Sequence, residues 1–277
     1  EIYTLSLHDA LPIFFDFEMN KSVMPVLFVG HGSPANAIFN NDFTKSLSHI
    51  AKQFEKPKAI VVISAHWLTN GTFVNSAVIP EQMYDFYGFP EELYRVKYTC
   101  HGSPTAANLI ADHIKLCAIK PDNKRGLDHA AWAILIHMFP DANIPVVELS
   151  IDFSQNQEFH YNLGQELKDL RSQGILFIGS GNLVHNLRHM ENTIDSIPCD
   201  WAKHADLQLK ELIANNNVKT LVSMDEFSKE TRTGIPSLEH YIPLLYVLGM
   251  KSTDETIRFF YEGFQYGSVS MRSFIIE

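Results

Sequence analysis

Three of the thirteen histidines in the chain occur in the same kind of setting. His31 ends the run Val26-Leu-Phe-Val-Gly-His, His66 ends Ile60-Val-Val-Ile-Ser-Ala-His, and His185 follows Ile175-Leu-Phe-Ile-Gly-Ser-Gly-Asn-Leu-Val-His. Each run reads as a buried strand, so each imidazole leaves the carboxyl end of a strand. In an open α/β sheet those ends converge on the crevice where ligands bind. Gly30, Gly32, Gly179 and Gly181 beside them allow tight turns and close backbone approach. A single strand-end histidine is ordinarily a hydrogen-bonding cap. Three in matching contexts point to a divalent metal, and neutral imidazoles suit Zn(II) or Fe(II) without thiolate.

Two further segments carry chemistry. His129, in Gly126-Leu-Asp-His-Ala-Ala-Trp132, begins a helix whose N-cap is Asp128. The dipole at a helix start disfavours the imidazolium and keeps such a ring usable as an acid or base. Ser237 to Tyr246 reads as another helix with Pro243 in its first turn, and there Glu239 and His240 are adjacent ligand candidates. Neighbouring helical side chains diverge by about 100°, so only one of the two is expected to face a shared metal. The remaining histidines carry plainer readings. His49, His113, His204, His160 and His189 read as solvated, His137 as structural, and His101 as part of a helix entry.

The elements that must position these residues alternate along the chain. Strands are expected at Val26 to Gly30, Ala59 to Ser64, Val146 to Ile151 and Ile175 to Ser180, with a final strand in Gly267 to Ile276. Between them lie helices. Phe43, Leu47, Ile50, Ala51 and Phe54 mark one apolar face, capped by Asn41 or Asp42. Ser103-Pro104 starts a second helix, and Phe159, Leu163, Leu167 and Leu170 mark a third that stops near Gly174. The pattern is that of a sheet covered by helices, in one α/β domain.

Composition narrows the partners. Lys plus Arg number 22 against 32 Asp plus Glu, a net charge of -10, which disfavours nucleic acid and anionic membranes and leaves a small molecule. No apolar run approaches the roughly 18 residues of a membrane helix. Cys100, Cys117 and Cys199 form no C-x-x-C pair, which fits a reducing cytoplasm. Residues Glu1 to Ile13 look like an in-frame translation of a sequencing adapter and stand outside the fold reading, as does His8 within them. The natural start is then Met19 or Met24, with Phe14 to Val23 read as untranslated sequence carried through and the domain running over 24–277.

Beyond single motifs, the chain resembles the class III, LigB-type extradiol ring-cleavage dioxygenases, in the DOPA 4,5-dioxygenase-like subgroup. The segments that carry the likeness are Gly30-His-Gly-Ser-Pro34, Ser64-Ala-His-Trp67, Tyr87-Gly-Phe-Pro90, Leu127-Asp-His129, Gly179-Ser-Gly-Asn182 with Val184-His-Asn-Leu187, Glu239-His-Tyr241 with Pro243-Leu-Leu-Tyr246, and Gly267-Ser-Val-Ser-Met271. They occur in family order. The resemblance implies a LigB-like single domain with a mostly parallel or mixed central sheet flanked by helices. It implies His31, His66 and His240 as metal ligands, with Glu239 as the substitute for His240. It makes His185 a fourth ligand or the base facing substrate, and His129 an acid/base group. One departure is Ala130, where relatives usually carry glycine after the histidine. The implied reaction opens a catechol with O2 at Fe(II), and Zn(II) readily occupies such a site as isolated. Trp67, Tyr84, Phe86 and Tyr241 are the expected aromatic walls. A zinc hydrolase and a non-enzymatic metal-binding protein on the same scaffold are the alternatives.

Overall fold

A computed structural model describes residues 23–277. The adapter reading at 1–13 and the candidate start at Met19 lie outside the described residues. Among the described residues ten strands run in chain order: β1 Val26–Gly30, β2 Ala59–Thr69, β3 Thr72–Asn75, β4 Ile119–Asp122, β5 Val146–Asp152, β6 Ile175–Gly181, β7 Ile257–Tyr261, β8 Phe264–Gln265, β9 Val269–Ser270 and β10 Ser273–Ile276. The helices are α1 Asp42–Ile50, α2 Glu91–Arg95, α3 Pro104–His113, α4 His129–Met138, α5 Gln157–Leu167, α6 Asp200–Ala214, α7 Val218–Ser223, α8 Lys229–Gly234 and α9 Ile242–Gly249.

Eight strands form one mixed sheet in the order β4-β3-β5-β2-β6-β1-β10-β7, and β8 pairs with β9 separately. Its centre, β5-β2-β6-β1, is parallel. Period-two alternation explains why these strands are apolar throughout: Val26 and Phe28 face one core, Leu27 and Val29 the other. The first core is closed by residues of α3, α5, α6 and α9, the second by residues of α1 and α4. Asn41 caps α1 in a reciprocal box with Thr44, and Ser103 caps α3 with Pro104 at its first position.

Several expectations shift. β2 does not stop at Ser64 but runs to Thr69, losing register with β5 between Ile63 and Leu68, so His66 lies in a bulge that re-aims its side chain. The C-terminal strand divides into β9 and β10, because Arg272 turns into the protein to pair with Asp206 and Glu262. The helix expected from Ser237 begins only at Ile242, with Pro243 at its start, so His240 sits in the preceding turn. His160, expected in solvent, is fully buried, with Nδ1 3.1 Å from the Tyr246 hydroxyl. Cys100, Cys117 and Cys199 are free thiols, and no described helix is long and apolar enough to cross a membrane.

Candidate metal centre

β2, β6 and β1 are adjacent and parallel, so their carboxyl ends deliver His66, the approach to His185, and His31 to one edge of the sheet. β6 ends in Gly179-Ser-Gly181, and this lack of side chains makes room. A Cβ on Gly181 would collide with the His240 carbonyl, and one on Gly179 would meet the Pro243 carbonyl. The turn before α9 therefore settles directly on β6, held by Asn182 N–H donating to His240 O at 2.9 Å. This places His240 between the two strand-end histidines. Ring centroids lie 5.1 Å apart for His31 and His66, 5.3 Å for His31 and His240, and 5.2 Å for His66 and His240. One nitrogen from each ring falls within 4.8 Å of the others.

Hydrogen bonding fixes the free nitrogen of each ring. The Ser180 hydroxyl gives its single proton to Ala130 O at 2.6 Å, so toward His31 Nδ1, 3.1 Å away, it accepts. His66 Nδ1 donates to Asp85 Oδ2 at 2.8 Å, and His240 Nδ1 faces Glu239 Oε1 at 3.3 Å. In all three rings Nε2 remains as the available lone pair. His66 Nε2 is buried and lacks any hydrogen-bond partner, the situation a metal ion would relieve. The donor set fits a divalent cation that accepts imidazole nitrogen.

Electrostatics agree. Burial and the neighbouring imidazoles hold His31 well below its ordinary range. Burial also takes His240 down to about 4 against the opposing pull of Glu239. His66 is desolvated too, yet its hydrogen bond to Asp85 and the charge of Asp128 push it up, so this corner favours a positive charge. Desolvation works against ionised Asp85, but hydrogen bonds from His129 and His66 outweigh it and hold the carboxyl far below the usual range.

His129 is the first residue of α4, with its ring centroid 4.2 Å from that of His66. Asp128 occupies the N-cap position without capping: its carboxylate accepts from the Ser64 hydroxyl and pairs with Arg125. The cap comes from outside the helix, since Asp85 Oδ1 accepts from both His129 N–H at 2.9 Å and His129 Nδ1 at 3.0 Å. Ala130, where relatives usually carry glycine, is helical and buried, and its carbonyl accepts from the Ser180 hydroxyl.

His185 stacks on His240 with centroids 3.6 Å apart and planes 13° from parallel. It groups with Glu239 and His240 rather than with His31 and His66. Burial and the His240 ring hold its pKa down at about 2. The expected divergence of Glu239 and His240 does not hold, because both precede the helix: the Glu239 carboxylate lies 3.3 Å from His240 Nδ1, and the two share a group with His185.

All five imidazoles open into a cavity of about 370 Å³, walled by Pro34, Phe86, Phe89, Leu187, Met190 and Tyr266 among others. Of the four expected aromatic walls, only Phe86 lines it. Trp67 is buried with the Arg125 guanidinium over its ring, Tyr84 lies behind Phe86 with its hydroxyl bound to Val96 O, and Tyr241 is in the core with its hydroxyl bound to Leu221 O. Alternation in β2 turns Trp67 away from the face that His66 presents. A larger hollow of about 640 Å³, lined by Met24, Phe54 and Glu277 among others, holds none of the imidazoles. Asp85 and Phe89 escaped sequence reasoning. Their segment has no periodicity; the signals that mark it are the aromatic density of Tyr84-Asp-Phe-Tyr-Gly-Phe89 and the family-like Tyr87-Gly-Phe-Pro90, neither of which singles out Asp85.

Comparison with known proteins agrees with this architecture. A sequence profile described as the catalytic LigB subunit of aromatic ring-opening dioxygenase matches residues 23–272. A 4,5-DOPA dioxygenase extradiol of Escherichia coli K12 is 40% identical over 265 residues, covering 95% of this chain and 98% of that protein. A protein of the same name from Beta vulgaris is 34% identical, covering 91% and 96% respectively. The crystal structure of an uncharacterized protein from Escherichia coli K12 superposes with a TM-score of 0.79 at 36% identity, over 92% of this chain and 100% of that one. The sheet, the imidazole cluster and these relatives lead to one conclusion: the chain belongs to the LigB family of aromatic ring-opening extradiol dioxygenases.

Proposed function

We propose that the protein opens the ring of a 3,4-dihydroxyphenylalanine-type catechol by 4,5-extradiol cleavage, at one divalent metal held by Nε2 of His31, His66 and His240. The supporting observation is the pattern of hydrogen bonds: each ligand ring has Nδ1 engaged by a protein oxygen, while Nε2 of His66 is buried without a partner. When bound, the metal supplies Lewis acidity toward the diol and electrons toward dioxygen. Fe(II) is the metal for ring cleavage, and Zn(II) is the metal that imidazole sites readily take up on isolation.

The chain's own groups handle the protons. Neutral His129 donates Nδ1–H to Asp85, leaving Nε2 to accept a proton from a diol hydroxyl. The Asp85 charge stabilises the imidazolium that results, and His129 returns the proton to the oxygen released as the ring opens. His185, stacked on His240 and held neutral, hydrogen-bonds the substrate at the cavity wall. Phe86 and Phe89 pack on the aromatic ring and exclude water. Both oxygen atoms enter the product, an open-chain semialdehyde.

The test is anaerobic reconstitution of the apoprotein with Fe(II), then addition of a catechol panel and air. Stoichiometric oxygen uptake with a yellow product supports the reading. Turnover without oxygen, or only with Zn(II), overturns it in favour of a hydrolase.

A further inference from the structure

We propose that Asp85 is the positioning residue of this centre, one carboxylate that sets the tautomers of His66 and His129 together and leaves Nε2 of both rings free. The inference rests on the metal-site reading above and adds to it a residue that no strand or helix carries.

The chain places Asp85 by backbone pairing. Met83 N–H donates to Leu127 O and Leu127 N–H donates to Glu81 O, both at 2.7 Å, which docks this segment alongside the approach to α4. Trp132 Nε1–H donates to Met83 O at 2.8 Å and locks the same segment to the helix interior. Two residues beyond each partner of that pairing stand Asp85 and His129. Three donors then converge on one carboxylate: His66 Nδ1 on Oδ2, and the N–H and Nδ1 of His129 on Oδ1. An ionised carboxylate only accepts, so both rings must carry their proton on Nδ1. The side chain is 20% exposed, and the rings it bridges stand nearly perpendicular at 84°. A shift of Asp85 therefore moves a metal ligand and the proton carrier at once.

This arrangement makes an unusual prediction about Asp85→Asn. The backbone N–H of His129 cannot become an acceptor, so the amide oxygen must remain on that side. The NH2 group then faces His66 Nδ1 and forces it to accept, which moves the His66 proton to Nε2, the ligating nitrogen. Asp85→Ala imposes no such constraint, because water entering the cavity can serve either tautomer. The near-isosteric variant should thus be the more damaging one for metal affinity, the reverse of what a merely structural role predicts.

The experiment measures Zn(II) affinity of the full chain by chelator competition for wild type, Asp85→Asn and Asp85→Ala, together with ¹⁵N histidine spectra of the apoproteins. Expected are a loss of roughly 10–100-fold for Asp85→Asn, a smaller loss for Asp85→Ala, and a His66 proton on Nε2 in Asp85→Asn. Equal affinities for wild type and Asp85→Asn, or a larger loss for Asp85→Ala, overturn the inference while the metal site stands. The wild-type apoprotein, at a pH where both rings are neutral, is a test independent of any variant's folding: His66 and His129 should each carry the single proton on Nδ1, and a neutral ring protonated on Nε2 refutes the assignment. Wild type that binds no Zn(II) refutes the metal-site reading itself.

Discussion

Ser180→Ala removes one oxygen from β6 and should be felt at the metal through His31. The hydroxyl accepts from His31 Nδ1 at 3.1 Å and donates to Ala130 O at 2.6 Å, in a place where Ser180 is fully buried and His31 is 3% exposed. The Ala130 carbonyl retains its place in α4, so its loss is modest. His31 bears the larger cost, because a buried N–H without an acceptor costs about 1–3 kcal/mol. The ring can avoid that cost by moving its proton to Nε2, and must then give up the proton to bind metal. With that shift, metal binding loses about 1–3 kcal/mol, roughly 5–150-fold in affinity at 1.4 kcal/mol per tenfold; a ring that kept its Nδ1 proton would carry the cost with and without metal and show it as lost apoprotein stability. Chelator competition with Zn(II) measures this, and urea denaturation of the apoprotein reports how much of the cost already exists without metal. Wild-type affinity together with wild-type apoprotein stability in Ser180→Ala would refute the argument that this hydroxyl sets the His31 tautomer.

Gly181→Ala should clash with the His240 carbonyl, destabilise the fold by about 1–3 kcal/mol and weaken metal binding; a stable variant with unchanged affinity would show that the close approach is dispensable. Phe86→Ala should raise KM for a catechol. Tyr241→Phe should leave KM alone and cost about 1 kcal/mol in urea denaturation, and a raised KM there would return Tyr241 to the cavity wall. Burial takes His160 from its ordinary 6.5 down to about 4, so the folded state binds fewer protons than the unfolded state between those values. Its contribution is complete above pH 6.5 and is lost as pH falls toward 4, by roughly 3 kcal/mol. The stability of His160→Gln measured against pH should be flatter over that window, and an unchanged slope would contradict the assignment.

The strands that carry His31, His66 and His185 were legible because strands buried on both faces leave nearly uninterrupted apolar runs, and helix starts such as Ser103-Pro104 carry their own capping chemistry. β3 and β4 were not, since Thr72 to Asn75 and Ile119 to Asp122 are short and partly polar at the sheet edge. The start of α9 was misplaced because Ser237 to Tyr241 has helix-compatible residues, while the contact that holds His240 in a turn comes from Gly181, far away in sequence. Trp67 and Tyr241 show the limit of residue type as a guide: an aromatic beside a ligand histidine can as readily face the core. Asp85 was invisible for a related reason. Its role arises from contacts with residues 19 and 44 positions away, and nothing local distinguishes it from a loop carboxylate.

The account stands most directly on the coordination of the metal. Metal content of the purified chain, with X-ray absorption at the metal edge, should give one ion per chain with imidazole nitrogens as its protein ligands. His31→Ala, His66→Ala and His240→Ala should each lose the ion, while His129→Ala keeps it and turns over roughly 10²–10⁴-fold more slowly. Full metal occupancy surviving in the folded His66→Ala and His240→Ala proteins would contradict the central claim.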